Sequence, residues 1–240
     1  MPRIARIKSD NLTYHIISRG NNKMSIFLDK VDYQQYLEIL NKYKKKYISY
    51  LYNFVLMPNH VHLLLKADTD LSRLMHGINL SYAQYFKRKY NHVGHFWQDR
   101  FKSYIVEDDS YLLTVARYIE RNPLRANLIN NLHEYDYSSY NFYAYGENCG
   151  IEITTNPLYF TLSNDTTELK KVYQNFISEQ KLGYLSNGLP IDIDINIIKA
   201  QFISSHKFAQ QLIESRFTKR IRRRLGRPRK NRENFIPNLL

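Results

Sequence analysis

A two-residue break, Pro58-Asn59, separates the apolar run Leu51-Tyr52-Asn53-Phe54-Val55-Leu56-Met57 from His60-Val61-His62. This junction constrains the fold more than any other stretch of the chain. Strand-like runs on both sides of a tight-turn signal read as a β-hairpin. At a strand's period of two, the imidazoles of His60 and His62 project from one face and Val61 from the other. The second strand of the hairpin therefore begins with two side chains able to hold a divalent cation. The plainer alternative is one partly buried histidine beside one solvated histidine.

The flanking sequence places that hairpin in a definite order. Residues 12–19 alternate as a first strand, closed by Gly20-Asn21-Asn22. Tyr33, Tyr36, Leu37, Leu40 and Tyr43 recur at helical spacing and predict a helix over 30–46. The hairpin strands follow at about 49–57 and 60–66. A second helix spans 70–90, and 101–106 is short and extended. Asp108 or Asp109 caps a third helix running to about Asn122, where Pro123 interrupts the pattern. Strand, helix, strand, strand, helix, strand is the order of an α+β, ferredoxin-like antiparallel sheet with helices on one face, here carrying one extra helix. Residues 151–212 are richer in Asn, Ser and Thr, with helical patterning around 168–179 and 197–212. They read as a small C-terminal helical appendage. We divide the chain into a domain over 1–145, the appendage over 146–215 and a basic tail over 216–240.

Charge narrows the partner. A formal net charge of +13 suggests a polyanion, with an acidic membrane surface as the competitor. Ten Lys and Arg and no acid lie between Arg216 and Arg232, a block that repels itself unless phosphates neutralise it. No run of 18 or more apolar residues exists, so no segment is expected to span a bilayer. The opening Met1-Pro2-Arg3-Ile4-Ala5-Arg6 lacks a signal peptide's apolar stretch, which gives a cytoplasmic, nucleoid-associated expectation. The single cysteine, Cys149, excludes an intrachain disulfide and a cysteine zinc cluster. No Gly-rich phosphate loop is present, so no nucleotide cofactor is expected.

The third helix adds chemistry to the hairpin. Tyr118 and Asn122 are four apart, on one stripe with Thr114 and Tyr111, beside an apolar stripe of Leu112, Val115 and Ile119. With the apolar stripe on the sheet, Tyr118 comes to the rim towards which His60 and His62 point. Asn122 can then offer an amide oxygen as a third ligand. Two imidazoles and an amide leave open positions for a cation, Mg2+ or Mn2+, that also holds a phosphate oxygen. On spacing alone, Tyr118 is equally one of 21 tyrosines and Asn122 a residue that ends a helix before proline. Between hairpin and helix, a stretch from Tyr82 to Lys102 interleaves cations with rings, a pattern suited to a single strand or to a solvated helix face.

Three segments now identify a resemblance: Asn53-Phe54-Val55-Leu56-Met57-Pro58-Asn59-His60-Val61-His62, then Gly94-His95-Phe96-Trp97-Gln98-Asp99-Arg100-Phe101-Lys102, then Tyr118-Ile119-Glu120-Arg121-Asn122-Pro123. In order and separation they resemble the single-tyrosine HUH transposases, most closely the branch associated with repetitive extragenic palindromes, over about residues 8–140. The resemblance implies metal-dependent cleavage and rejoining of single-stranded or hairpin DNA through a 5′-phosphotyrosine. It implies His60 and His62 as metal ligands, Tyr118 as nucleophile, Asn122 at the third ligand position, and a homodimer. Many members have glutamine at that third position, one methylene longer than Asn122. The expected DNA contacts are Arg19, Lys87, Arg88, Lys89, Trp97, Arg100, Lys102 and Arg121, with Arg222, Arg223, Arg224, Arg227 and Arg229 in the tail. A replication-initiator or relaxase-like nicking enzyme and a non-catalytic basic nucleic-acid-binding protein are the alternatives.

Overall fold

The computed structural model describes residues 12–106, 109–178 and 202–203. Nearly all of the predicted elements fall within a residue or two of their expected bounds. Strand β1 (Leu12–Arg19) leads to helix α1 (Lys30–Lys46), the hairpin β2 (Ser49–Met57) and β3 (His60–Ala67), helix α2 (Leu71–Tyr90), strand β4 (Lys102–Val106) and helix α3 (Asp109–Glu120). The sheet order is β2-β3-β1-β4, every neighbouring pair antiparallel.

Local chemistry sets the helix ends. Asp29 and Asp32 form a reciprocal capping box at the start of α1. Asp70 accepts from the Ser72 and Arg73 amides, and Asn91 closes α2 in the left-handed conformation at φ 50°. Gly20, just after β1, is needed for space, since a Cβ there would stand 2.5 Å from the Met24 carbonyl oxygen.

The alternation of β1 and β3 sorts the sheet into two faces. Tyr14, Ile16 and Ser18 turn one way, with Val61, Leu63 and Leu65, all buried. Ser18 exchanges hydrogen bonds with Asn79 of α2, and α1 packs on α2, so both helices cover this face. On the opposite face Tyr52, Val55, Met57, Leu64, Tyr104 and Val106 bury Leu112, Val115, Ala116 and Ile119 of α3. At about 25 cal/mol per Å2 of apolar surface removed from water, those four side chains hold α3 against the sheet by several kcal/mol. The extra helix thus lands on the histidine face.

The chain after α3 is a helical region. Helix α4 (Asn122–Arg125), helix α5 (Tyr140–Tyr145) and helix α6 (Thr166–Ser178) follow, with Tyr143, Tyr159, Leu169, Tyr173 and Ile177 in a second core. Residues 137–139 run along the outer edge of β2, exchanging backbone hydrogen bonds with Leu56 and Phe54. One expectation is corrected. Where 197–212 patterned as helix, Phe202–Ile203 is a short strand, β5, parallel to β4. β-branched and aromatic residues fit an open sheet edge as well as a helix stripe, and periodicity over so few residues does not separate them. The rest of that stretch and the whole basic tail lie outside the described residues.

Buried Glu120 ties this region to the sheet. Its carboxylate accepts from Asn53 Nδ2 at 2.8 Å, Ser139 Oγ at 2.5 Å and Tyr173 Oη at 2.8 Å. Complete burial nevertheless outweighs those three donors and raises its pKa to about 7. The folded protein therefore holds this proton more tightly than the unfolded chain does. The stability that follows is complete below about pH 4.5 and is lost as the pH rises through about 7. Glu120→Gln should fold with that pH dependence removed, since an amide can accept from Asn53 and Ser139 and donate to Tyr173. Glu120→Ala should lose about 3 kcal/mol by stranding the three donors. Urea unfolding at pH 5 and pH 8 reads both.

Candidate active site

β3 carries His60 and His62 on one face, ring centroids 4.9 Å apart and nearly perpendicular. Each imidazole has its Nδ1 engaged. His60 Nδ1 meets Asn59 Oδ1 at 2.5 Å, and His62 Nδ1 meets His15 Nε2 at 2.9 Å. That leaves Nε2 of each ring for a ligand. Both rings are held neutral at physiological pH. Burial, then the charge of Arg19, lowers His60 to about 4, and burial with the same neighbour and the other two rings takes His62 well below its ordinary value. Arg19 earns this influence by register, since it lies opposite His60 across the β1–β3 ladder.

Helix α3 brings Tyr118 to the pair. Its ring stands edge-on to His62 at 5.7 Å and to His15 at 5.8 Å. The Arg125 guanidinium lies 5.3 Å from its centroid. Burial raises the Tyr118 phenol above its ordinary value, and Arg125 acts in the opposite direction. A protonated, weakly nucleophilic phenol is the ground state of such a site.

Asn122 owes its orientation to the residue after it. Pro123 has no N–H, so the carbonyl of Ile119 loses its helical donor. Asn122 Nδ2 replaces that donor at 3.1 Å and also reaches the Tyr118 carbonyl at 2.7 Å. The amide nitrogen is thereby committed to the helix end, and Oδ1 is the atom available to a ligand. Among the described residues no three His, Cys, Asp or Glu side chains gather as a metal site. A hard divalent ion would depend on two imidazoles and this amide, completed by phosphate and water. The neutral donors and their open positions fit that use.

The expected DNA contacts divide into three groups. Arg19, Lys87, Arg88, Arg100 and Lys102 are exposed. The loop bearing Arg100 is drawn towards the site, because Gly20 bridges to Trp97 and the Gln98 amide donates to the Arg19 carbonyl. A second group, Lys89, Trp97 and Arg121, already has partners within the protein. Lys89 lies 2.7 Å from Asp29 and 2.8 Å from Asp32, Trp97 donates its indole N–H to the Asn79 carbonyl, and Arg121 caps α6 at the Ile177 and Ser178 carbonyls. Arg222, Arg223, Arg224, Arg227 and Arg229 lie outside the described residues. Sequence reasoning missed His15 and Arg125. Arg125 is seven residues beyond Tyr118, two helical turns, and that spacing was a usable signal.

With this geometry in hand, residues 8–122 match a family model described as "Transposase IS200 like". One solved structure, of a REP-associated tyrosine transposase bound to a REP hairpin, is 19% identical with a TM-score of 0.52, covering 64% of this chain and 93% of its own. At that identity the likeness concerns the fold. Another, of a candidate transposase from Deinococcus radiodurans, is 20% identical with a TM-score of 0.36, covering 50% of this chain and 97% of its own. No curated protein matches the chain.

Proposed function

Because residues 8–122 make this chain a member of the IS200-like transposase family, we propose that it cuts and rejoins single-stranded hairpin DNA through a covalent 5′-phosphotyrosine on Tyr118. The observation that carries this reading is the meeting of Tyr118 with His62 and His15 across three separate elements. Ring contacts alone would suit a core, but here the buried His62 imidazole keeps its Nε2 free beside a phenol.

Tyr118 Oη attacks phosphorus, its proton leaves to solvent, and the bond from phosphorus to the 3′-oxygen breaks to release a 3′-hydroxyl. The phosphodiester energy is conserved in the tyrosyl ester, so a second strand's 3′-hydroxyl can reverse the step. His60, His62 and the Asn122 amide would hold Mg2+ or Mn2+, which would neutralise charge on the scissile phosphate. Arg125 faces the attacking ring, and Arg19 stands at the histidine pair, where both can grip phosphate oxygens. Lys87, Arg88, Arg100, Lys102 and the basic tail supply the wider electrostatic footprint. A relaxase-like enzyme would use a similar site, and the family match favours the transposase reading. A homodimer and a nucleoid location belong to the same proposal.

The test is incubation with labelled single-stranded hairpin DNA from the sequence flanking the gene, with Mn2+, followed by denaturing electrophoresis. A protein–DNA adduct is expected, and its absence across all flanking hairpins would refute the reading. Removing residues 216–240 should weaken binding to every sequence and flatten its salt dependence while leaving adduct chemistry intact, as titrations at two salt concentrations would show.

A further inference from the structure

We propose that His15 is a positioning residue that accepts the Nδ1 proton of His62 when His62 Nε2 holds the cation, and so supports His62 as a metal ligand. The inference rests on the metal reading of His60 and His62 given above. His15 is fully buried on β1, diagonal to His62, because Ile17 pairs with His62 and His15 with Leu64. The two rings lie edge to edge, centroids 5.1 Å apart and planes 20° apart, and His15 Nε2 meets His62 Nδ1 at 2.9 Å.

A single proton can occupy that contact. If His15 donates it, the proton of neutral His62 resides on Nε2, and no lone pair faces a cation. If His62 donates it, His62 Nε2 is free to ligate, and the proton of His15 moves to Nδ1. Among the described residues, His15 Nδ1 is buried without a hydrogen-bond partner. The first arrangement leaves a buried lone pair unmatched, and the second leaves a buried N–H unmatched. Among the described residues nothing else secures the second, so a cation on His62 Nε2 selects it, and His15 Nε2 is the acceptor that takes the displaced proton's hydrogen bond. Ligating histidines commonly give their other ring N–H to a carboxylate or carbonyl. Here a third imidazole takes that place, and the nearly coplanar contact also sets the plane of His62.

Two variants separate the acceptor from the ring. His15→Phe keeps a flat ring at this position and removes the acceptor. His15→Gln restores an oxygen near the position of Nε2. Binding of Mn2+ alone to the full chain is followed by the electron paramagnetic resonance signal of the free ion. His15→Phe should weaken binding by about 10-fold to 100-fold, and His15→Gln should recover most of it. In the Mg2+-loaded unaltered protein, nitrogen-15 spectra of labelled histidine should place the His62 proton on Nδ1, a readout independent of any variant's folding. Unchanged Mn2+ affinity in His15→Phe, or a His62 proton on Nε2 in the loaded protein, overturns the role of His15 alone. Failure of the unaltered chain to bind Mn2+ removes the metal reading and this inference with it.

Discussion

A chain carrying Tyr118→Phe forms no covalent adduct with hairpin DNA, yet it binds that DNA and unfolds much as the unaltered chain does. The substitution removes one oxygen and keeps the ring that stands against His62, His15 and Arg125. Among the described residues no hydrogen bond holds Tyr118 Oη, so its loss strands no partner, and stability should change by about 0.5 kcal/mol or less. Chemistry responds differently, because the hydroxyl is the atom that becomes the ester. Adduct yield on denaturing gels should fall to background while gel-shift affinity stays within about threefold, a change of under 1 kcal/mol. Peptide mapping of the adduct from the unaltered protein supplies the sharper criterion. Tyr111 lies on the same helix and packs partly buried against the same core, so it is the nearest competitor. A nucleotide found on Tyr111, or an adduct that survives in Tyr118→Phe, would overturn the mechanism while leaving the fold untouched.

How far the site could be read in advance depended on whether its parts shared an element. His60 and His62 are two residues apart on one strand, and Tyr118 and Asn122 four apart along one helical stripe, so local periodicity was enough to pair them. The sheet itself followed from the order of its elements, because few topologies accommodate a strand, a helix, a hairpin, a helix and a strand. His15 was beyond that reach. Its meeting with His62 depends on the register of β1 against β3, and a slip of one residue would have turned it to the other face. Glu120 was hidden for a similar reason. A lone acid in Tyr118-Ile119-Glu120 looks solvated, and its three donors come from residues 53, 139 and 173, far apart in the chain. Lys89 shows the converse. Composition made it one of a run of cations, but the fold places it between Asp29 and Asp32.

His60→Ala and His62→Ala should each lower metal-dependent adduct formation on the order of 10³-fold, the several kcal/mol expected when a Lewis acid is lost from a charged transition state. The two should differ in what else they disturb. His60 is partly exposed and, among the described residues, hydrogen-bonded only to its neighbour Asn59, so its removal should leave stability nearly unchanged. His62 is 3% exposed and hydrogen-bonded to His15, so its removal opens a void and should cost about 2 kcal/mol as well. The unaltered protein should show a characteristic acid limb. An ordinary imidazole would protonate near pH 6.5 and release a cation there. Burial and Arg19 hold His60 to about 4 and His62 well below its ordinary value, so both should remain ligands as the pH falls through 6 and 5. At saturating Mn2+ the adduct rate should therefore persist to about pH 5 and fail as the pH approaches 4. Arg19→Gln, which removes the cation opposite His60, should move that limb upward. A limb centred at 6.5 in the unaltered protein, or one indifferent to Arg19, would mean that the histidine pair does not hold the ion on which cleavage depends.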